Sequence, residues 1–156
     1  MDASILAKLP GFSVLFSELP DRQRDDLAGR FRGRRYAPGE AVFIKGDEGN
    51  SLYIIESGRV HIKLTSEDGR EFVLNSVGPG ECFGDLALFD GEPRSADAVA
   101  VEGSQLVLLE RRDFQRFLSD YPSAAVTLLA VLSRRLRQNA PRPSSDAPNA
   151  SEEVRQ

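Results

Sequence analysis

Along residues 59–64 polar and apolar side chains take turns, with Arg59, His61 and Lys63 set against Val60, Ile62 and Leu64. A period of two sends one face of a strand inward and leaves the other in water. Segments 41–44, 52–55, 72–77, 96–101 and 106–109 have the same short, apolar-rich texture, and nine glycines between Gly39 and Gly91 punctuate them. Glu67-Asp68-Gly69-Arg70 predicts a hairpin turn, because Asp-Gly tolerates the left-handed geometry such turns need. The period is helical at both ends. Leu6, Leu9, Phe12, Leu15, Phe16 and Leu19 fall at helical spacings broken by Pro10-Gly11 and Pro20, which predicts two or three short helices over 5–30. The last of these starts at Pro20-Asp21, with Asp21 as cap, and runs to about Arg30. After Glu110, Phe114, Phe117 and Leu118 mark one helix, and Pro122 suits the first turn of another. In that second helix Ala125, Leu129, Leu132 and Leu136 form a heptad-like stripe, with self-association as its expected use. Pro141 and Pro143 forbid continuation past Asn139, and 140–156 is expected to be a disordered tail.

These elements predict a mainly β domain with flanking helices. It is an antiparallel β-barrel or jelly roll, with N-terminal helices in 1–30, strands in 31–110 and two C-terminal helices in 111–139. A chain of 156 residues fits one such domain, and 13 glycines with 9 prolines argue against a helical bundle. Twenty basic against 24 acidic residues give a net charge of -4, so no global field favours a nucleic-acid backbone. The basic run Arg30, Arg32, Arg34 and Arg35 enters a strand before Pro38 and reads as a solvated edge. With one Cys and one His, neither an internal disulfide nor a zinc site of the usual kind is expected. His61 is expected to face solvent, and Cys82 to be a small core residue. No run approaches 18 apolar residues and no basic-apolar leader opens the chain, so it is expected to be soluble, cytoplasmic and unattached to membranes.

Candidate chemistry concentrates in residues 78–96. Phe83-Gly84 is followed by Asp85-Leu86-Ala87-Leu88, a short helix-capable turn whose leading amides attract an anion. Ten residues beyond Gly84, Arg94 and Ser95 supply a positive fork and a hydroxyl on the returning strand. The stretch FGDLAL, then FDGE, then PRSA resembles the phosphate-binding cassette of cyclic nucleotide-binding domains, the family of catabolite activator proteins and protein kinase A regulatory subunits. Gly39-Glu40 and the run from Gly46 through Ile55 to Gly58 resemble the family's early strands, and the likeness covers about residues 10–139.

The resemblance implies a cyclic nucleotide as ligand, cyclic AMP favoured over cyclic GMP, and no catalysis. It implies amide contacts to the phosphate from Gly84, Leu86 and Ala87, charge neutralisation by Arg94 and a hydroxyl contact from Ser95. Arg94 is expected to contribute little to the core. Asp85 stands where the family has a glutamate that grips the ribose, one methylene shorter; it is also suited to capping the short helix. Ile62, Leu74 and Val77 are implied as apolar walls for the base, with Arg135 and Asn139 on the last helix as a lid. Inward movement of the cassette is implied to shift Leu88, with the helix of Phe114, Phe117 and Leu118 following. Family transcription factors carry a helix-turn-helix after the long helix, whereas the 17 residues after Asn139 are proline-rich, so direct DNA binding is not expected. Output is expected to pass to an unknown effector protein, a homodimer through the C-terminal helix, or a domain outside this chain. Two alternatives stand beside this reading. One is a fold that has lost its ligand and serves as a protein-interaction module. The other, a metal-dependent barrel enzyme, lacks the clustered histidines it requires.

Overall fold

A computed structural model describes residues 16–139; the expected helices within 5–15 and the tail 140–156 lie outside the described residues. Eight strands make two antiparallel four-stranded sheets. One sheet is ordered β1 (Arg32–Tyr36), β8 (Ser104–Glu110), β3 (Ser51–Ser57), β6 (Cys82–Phe83). The other is ordered β2 (Ala41–Phe43), β7 (Asp97–Ala100), β4 (Val60–Thr65), β5 (Glu71–Val77). No ladder joins the two sheets, so the architecture is an open jelly-roll sandwich and not a closed barrel. Closure fails at the edges, where β6 offers only two residues and β1 turns its arginines to solvent. That exposure of Arg32, Arg34 and Arg35 agrees with a solvated edge.

The strands that read as unbroken apolar runs are those buried on both faces. Leu52, Ile54, Val107 and Leu109 pack against the helices, while Tyr53, Ile55, Leu106 and Leu108 fill the space between the sheets. β4 alternates because only one of its faces is covered: Val60 is buried and Ile62 half-buried, and His61 is itself half-buried between β5 and β7. Its hairpin with β5 closes at Gly69, whose φ of +87° matches the Asp-Gly expectation. Cys82 is half-buried against the helical core.

Among the described residues four helices flank the sandwich: α1 (Asp21–Ala28), the single turn α2 (Ala87–Asp90), α3 (Arg111–Asp120) and α4 (Pro122–Asn139). α1 stops two residues before Arg30, and Asp21 does not cap it. Pro20 occupies that position, while the Asp21 carboxylate pairs with Arg24 one turn on. α3 buries Phe114 and Phe117, and Pro122 opens α4 as its first residue. The buried stripe of α4 is Ala124, Leu128 and Val131, one position from the expected one. Leu129 and Leu136 remain about 60% exposed. A half-buried network ties α1 to the joint between α3 and α4. The Tyr121 hydroxyl donates to Asp26 at 2.7 Å, and Arg30 bonds Asp26 at 2.6 Å and Asp120 at 2.8 Å. Among the described residues no helix is long and apolar enough to cross a membrane.

Candidate functional site

The segment singled out by sequence forms one wall of an open cleft of about 340 Å³. Its construction begins with β6, which pairs with Tyr53 and Ile54 of β3 and delivers the chain to Gly84. There φ is +73°, and a Cβ would lie 2.7 Å from the Arg94 Nη1, so both backbone and space call for glycine. The chain then turns through Asp85 and Leu86 into α2, where the first main-chain bond runs from the Leu88 amide to the Asp85 carbonyl. Gly91, left-handed at φ +68°, ends the turn and sends the chain back toward β7 through Arg94 and Ser95.

The two sequence motifs meet at Arg94. Its amide donates to the Asp47 carbonyl and its carbonyl accepts from the Gly46 amide, both at 2.8 Å. Gly49 permits this approach, since a Cβ there would fall 2.0 Å from the Glu92 carbonyl oxygen. Arg94 is only 7% exposed. Its Nη1 donates to the Gly84 carbonyl at 3.2 Å and its Nη2 to the Ser51 carbonyl at 2.7 Å, while the buried Nε has no hydrogen-bond partner among the described residues. The guanidinium lies over the Phe43 ring at 4.1 Å and reaches Tyr53 at 5.8 Å. Burial pulls its pKa below the ordinary arginine value, with Tyr53 and then Asp47 opposing. The expectation that this residue contributes little to the core is corrected: it is built into the wall by two main-chain bonds and an aromatic face. A buried cation with no ion-paired carboxylate among the described residues, only the more distant charge of Asp47, is suited to holding an anion.

Gly84, Asp85, Leu86, Ala87, Arg94, Ser95 and Ile62 all line the cleft. Asp85 is half-buried, Leu86 and Ser95 are exposed, and Ala87 is buried. Leu86, already helical at φ -65° and ψ -31°, makes no side-chain cap bond to α2. Three of the other implied contacts, Val77, Leu74 and Arg135, lie elsewhere. Val77 is buried within the sandwich core, and Leu74 is 56% exposed on the edge strand β5. Arg135 is half-buried on α4, and Asn139 is its final residue. Arg135 lies outside the lining of the cleft because α4 packs on α3 and the helical core, on the far side of Leu88 and Phe89. Leu88 sits in that core with Phe114 and Phe117, and the neighbouring Phe89 meets Phe114 edge-on at 5.7 Å. Sequence reading missed Phe43, Ser51 and Phe83. Phe43 read only as an apolar strand position, and Ser51 acts through its carbonyl, which no side-chain pattern reveals. Among the described residues no cluster of three His, Cys, Asp or Glu is placed to hold a metal ion.

The family model of the cyclic nucleotide-binding domain matches residues 33–121, more than half of the chain. The Cyclic AMP receptor protein of Thermus thermophilus is 40% identical over 126 residues, covering 81% of this chain and 58% of that one. The N-terminal domain of a transcriptional regulator from Streptomyces coelicolor A3(2) superposes with a TM-score of 0.79 at 36% identity, covering 92% of this chain and 99% of that one. The regulatory domain of Toxoplasma gondii PKA, solved with cAMP, gives a TM-score of 0.66 at 30% identity, over 76% of this chain and 43% of that one. The chain spans about half the length of the curated bacterial relatives, 58% of the Thermus protein and 45% of a CRP-like regulator from Mycobacterium tuberculosis. By motif, sandwich and cleft together, the chain belongs to the cyclic nucleotide-binding domain family, whose named members here are cyclic AMP receptors and kinase regulatory subunits.

Proposed function

We propose that the cleft takes a cyclic nucleotide, with cyclic AMP preferred, and that the domain acts as a non-enzymatic sensor in the cytoplasm. The observation that carries this is Arg94, a buried guanidinium with no ion-paired carboxylate among the described residues, on the wall of a cleft large enough for a nucleotide. In this reading the phosphate lies against the amides of Gly84, Leu86 and Ala87, facing Arg94 and the Ser95 hydroxyl. Asp85 reaches the ribose and Ile62 forms part of the base wall. Leu74, Val77 and Arg135 do not line the cleft as it stands, so a lid contact from Arg135 requires α4 to move. The preference for cyclic AMP rests on the names of the Thermus relative and of the Toxoplasma complex.

The signal leaves through the helical core. Leu88 and Phe89 follow the cassette directly and touch the aromatic face of α3, so an inward pull on the cassette alters what α3 and α4 pack against. To take a two-state equilibrium from 1:99 to 99:1, the ligand must favour one state by about 5.5 kcal/mol. The receiver is an effector protein or a second copy of the chain, for which Val126, Leu129 and Leu136 offer an exposed apolar stripe on α4.

Calorimetric titration with cyclic AMP, cyclic GMP and 5′-AMP tests the reading. Saturable one-to-one binding of a cyclic nucleotide, with 5′-AMP much weaker, is the expected result. A second reading, a ligand-free interaction module, is favoured by two features: both Nη groups of Arg94 already bond carbonyls, and Asp85, Asp90 and Glu92 all line the cleft. No heat and no thermal shift at millimolar nucleotide would establish that second reading.

A further inference from the structure

Arg94 is held in place by an aromatic group, and the kind of holder matters. A carboxylate would fix the guanidinium but also neutralise it and occupy its hydrogen-bonding edge. A ring binds the flat face instead and uses none of the five in-plane N–H donors. The ring here is Phe43, 4.1 Å from the guanidinium carbon. Phe43 is the last residue of the three-residue strand β2, at a register irregularity against β7. Its ring is braced by Tyr53 and Phe83, each at 5.9 Å, and those two stack at 5.2 Å and 10°. The trio fills the floor beneath the charge, and Phe43 and Phe83 both line the cleft.

We infer that Phe43 is a positioning residue for the anion site: its ring, clamped by Tyr53 and Phe83, holds the Arg94 guanidinium in the cleft wall while leaving its charge un-neutralised. The inference rests on the proposed anion site and adds a residue to it. Without the ring, the guanidinium keeps its two carbonyl acceptors but loses the face that fixes its plane, and water enters beside it. An anion must then order the arm on arrival.

The test compares wild type with Phe43→Leu, which keeps apolar bulk without a ring, and Phe43→Tyr, which keeps the ring. Cyclic AMP affinity is measured by calorimetry, and the Arg94 Nε–H resonance is followed in arginine-labelled protein. A guanidinium over a ring feels its ring current, which a mere wall residue does not supply. Phe43→Leu is expected to weaken cyclic AMP about tenfold, a typical worth for a partly desolvated cation–π pair. Phe43→Tyr should return to within about twofold, and the upfield Arg94 resonance should be present in wild type and Phe43→Tyr but lost in Phe43→Leu. Affinity unchanged in Phe43→Leu overturns the inference. So does weakened affinity with an unmoved Arg94 resonance, which makes Phe43 a ligand wall only. If wild type binds no cyclic nucleotide, the sensor reading falls and the resonance decides for Phe43: a ring-dependent shift supports the clamp, and identical spectra in all three proteins overturn it. Should Phe43→Leu not fold, Phe43→Met takes its place in both measurements.

Discussion

Replacing Arg94 by alanine separates what the residue does for the fold from what it does for a ligand. In the fold, the substitution removes two charge-assisted bonds, to the carbonyls of Gly84 and Ser51, each worth about 1.5–3 kcal/mol. It also removes a buried charge that no carboxylate balances, and releasing such a charge returns several kcal/mol. The two terms oppose, which leaves a stability change of about 2 kcal/mol in either direction, or a melting shift within roughly 8 °C for a domain of this size. For a bound phosphate nothing offsets the loss. Truncating one side of a buried, hydrogen-bonded charge pair costs about 2–5 kcal/mol, so affinity falls at least about thirtyfold. Calorimetry reads the affinity. Thermal unfolding reads both terms: at a hundred times the dissociation constant, ligand stabilises wild type by about 2.7 kcal/mol, and Arg94→Ala should show at most about 0.9 kcal/mol at the same concentration. Arg94→Ala binding cyclic AMP within about threefold of wild type would refute the assignment of this guanidinium to the phosphate.

Asp85→Glu lengthens the arm proposed to reach the ribose, and cyclic AMP should bind about tenfold more tightly by calorimetry; an unchanged constant means this carboxylate does not meet the sugar. Asp26 is held below its ordinary 3.8 first by the Arg30 hydrogen bond and next by that of Tyr121. The folded state therefore binds this proton less readily than the unfolded one. The stability that Asp26 supplies is complete above that ordinary value and drains away as pH falls through the lowered one. Melting curves of Asp26→Asn should accordingly lie below wild type at neutral pH and converge with it on acidification, and parallel curves would contradict this. Leu129→Glu places a charge in the exposed stripe of α4, and sedimentation should show a wild-type dimer becoming a monomer with unchanged helicity; a monomeric wild type removes the homodimer from the proposal.

Legibility in the sequence followed how a residue does its work. β4 announced itself by alternation because it is covered on one side, whereas β3 and β8 read as continuous apolar runs because helices cover their second face. Gly84 and Arg94 were legible as a pair because the chemistry of an anion site needs a glycine turn and a fixed cation. The sequence stripe on α4 missed the buried one by a single position: two adjacent stripes both carry apolar residues, and only tertiary packing decides which is covered. The open seam between the sheets was equally hidden, since it depends on β6 being two residues long within a segment that otherwise reads as loop. Phe43 escaped notice because an apolar strand residue is the default expectation, and its contact with a charge exists only once β2 and the cassette are brought together. Val77 and Leu74 were implied as base walls by the family resemblance alone, yet one is buried in the sandwich and the other is exposed at a sheet edge.

Ser51, whose carbonyl receives one arm of Arg94, faces Glu110 across the β3–β8 ladder, and the preceding Asn50 carbonyl receives the amide of Arg111 at 2.7 Å. The root of α3 is thus anchored one residue from a main-chain oxygen that the arginine occupies. In the proposed sensor, an incoming anion that drew this arm toward itself would loosen a strand end at the fulcrum of α3, giving the vacated acceptor as well as the filled cleft a part in the lever motion.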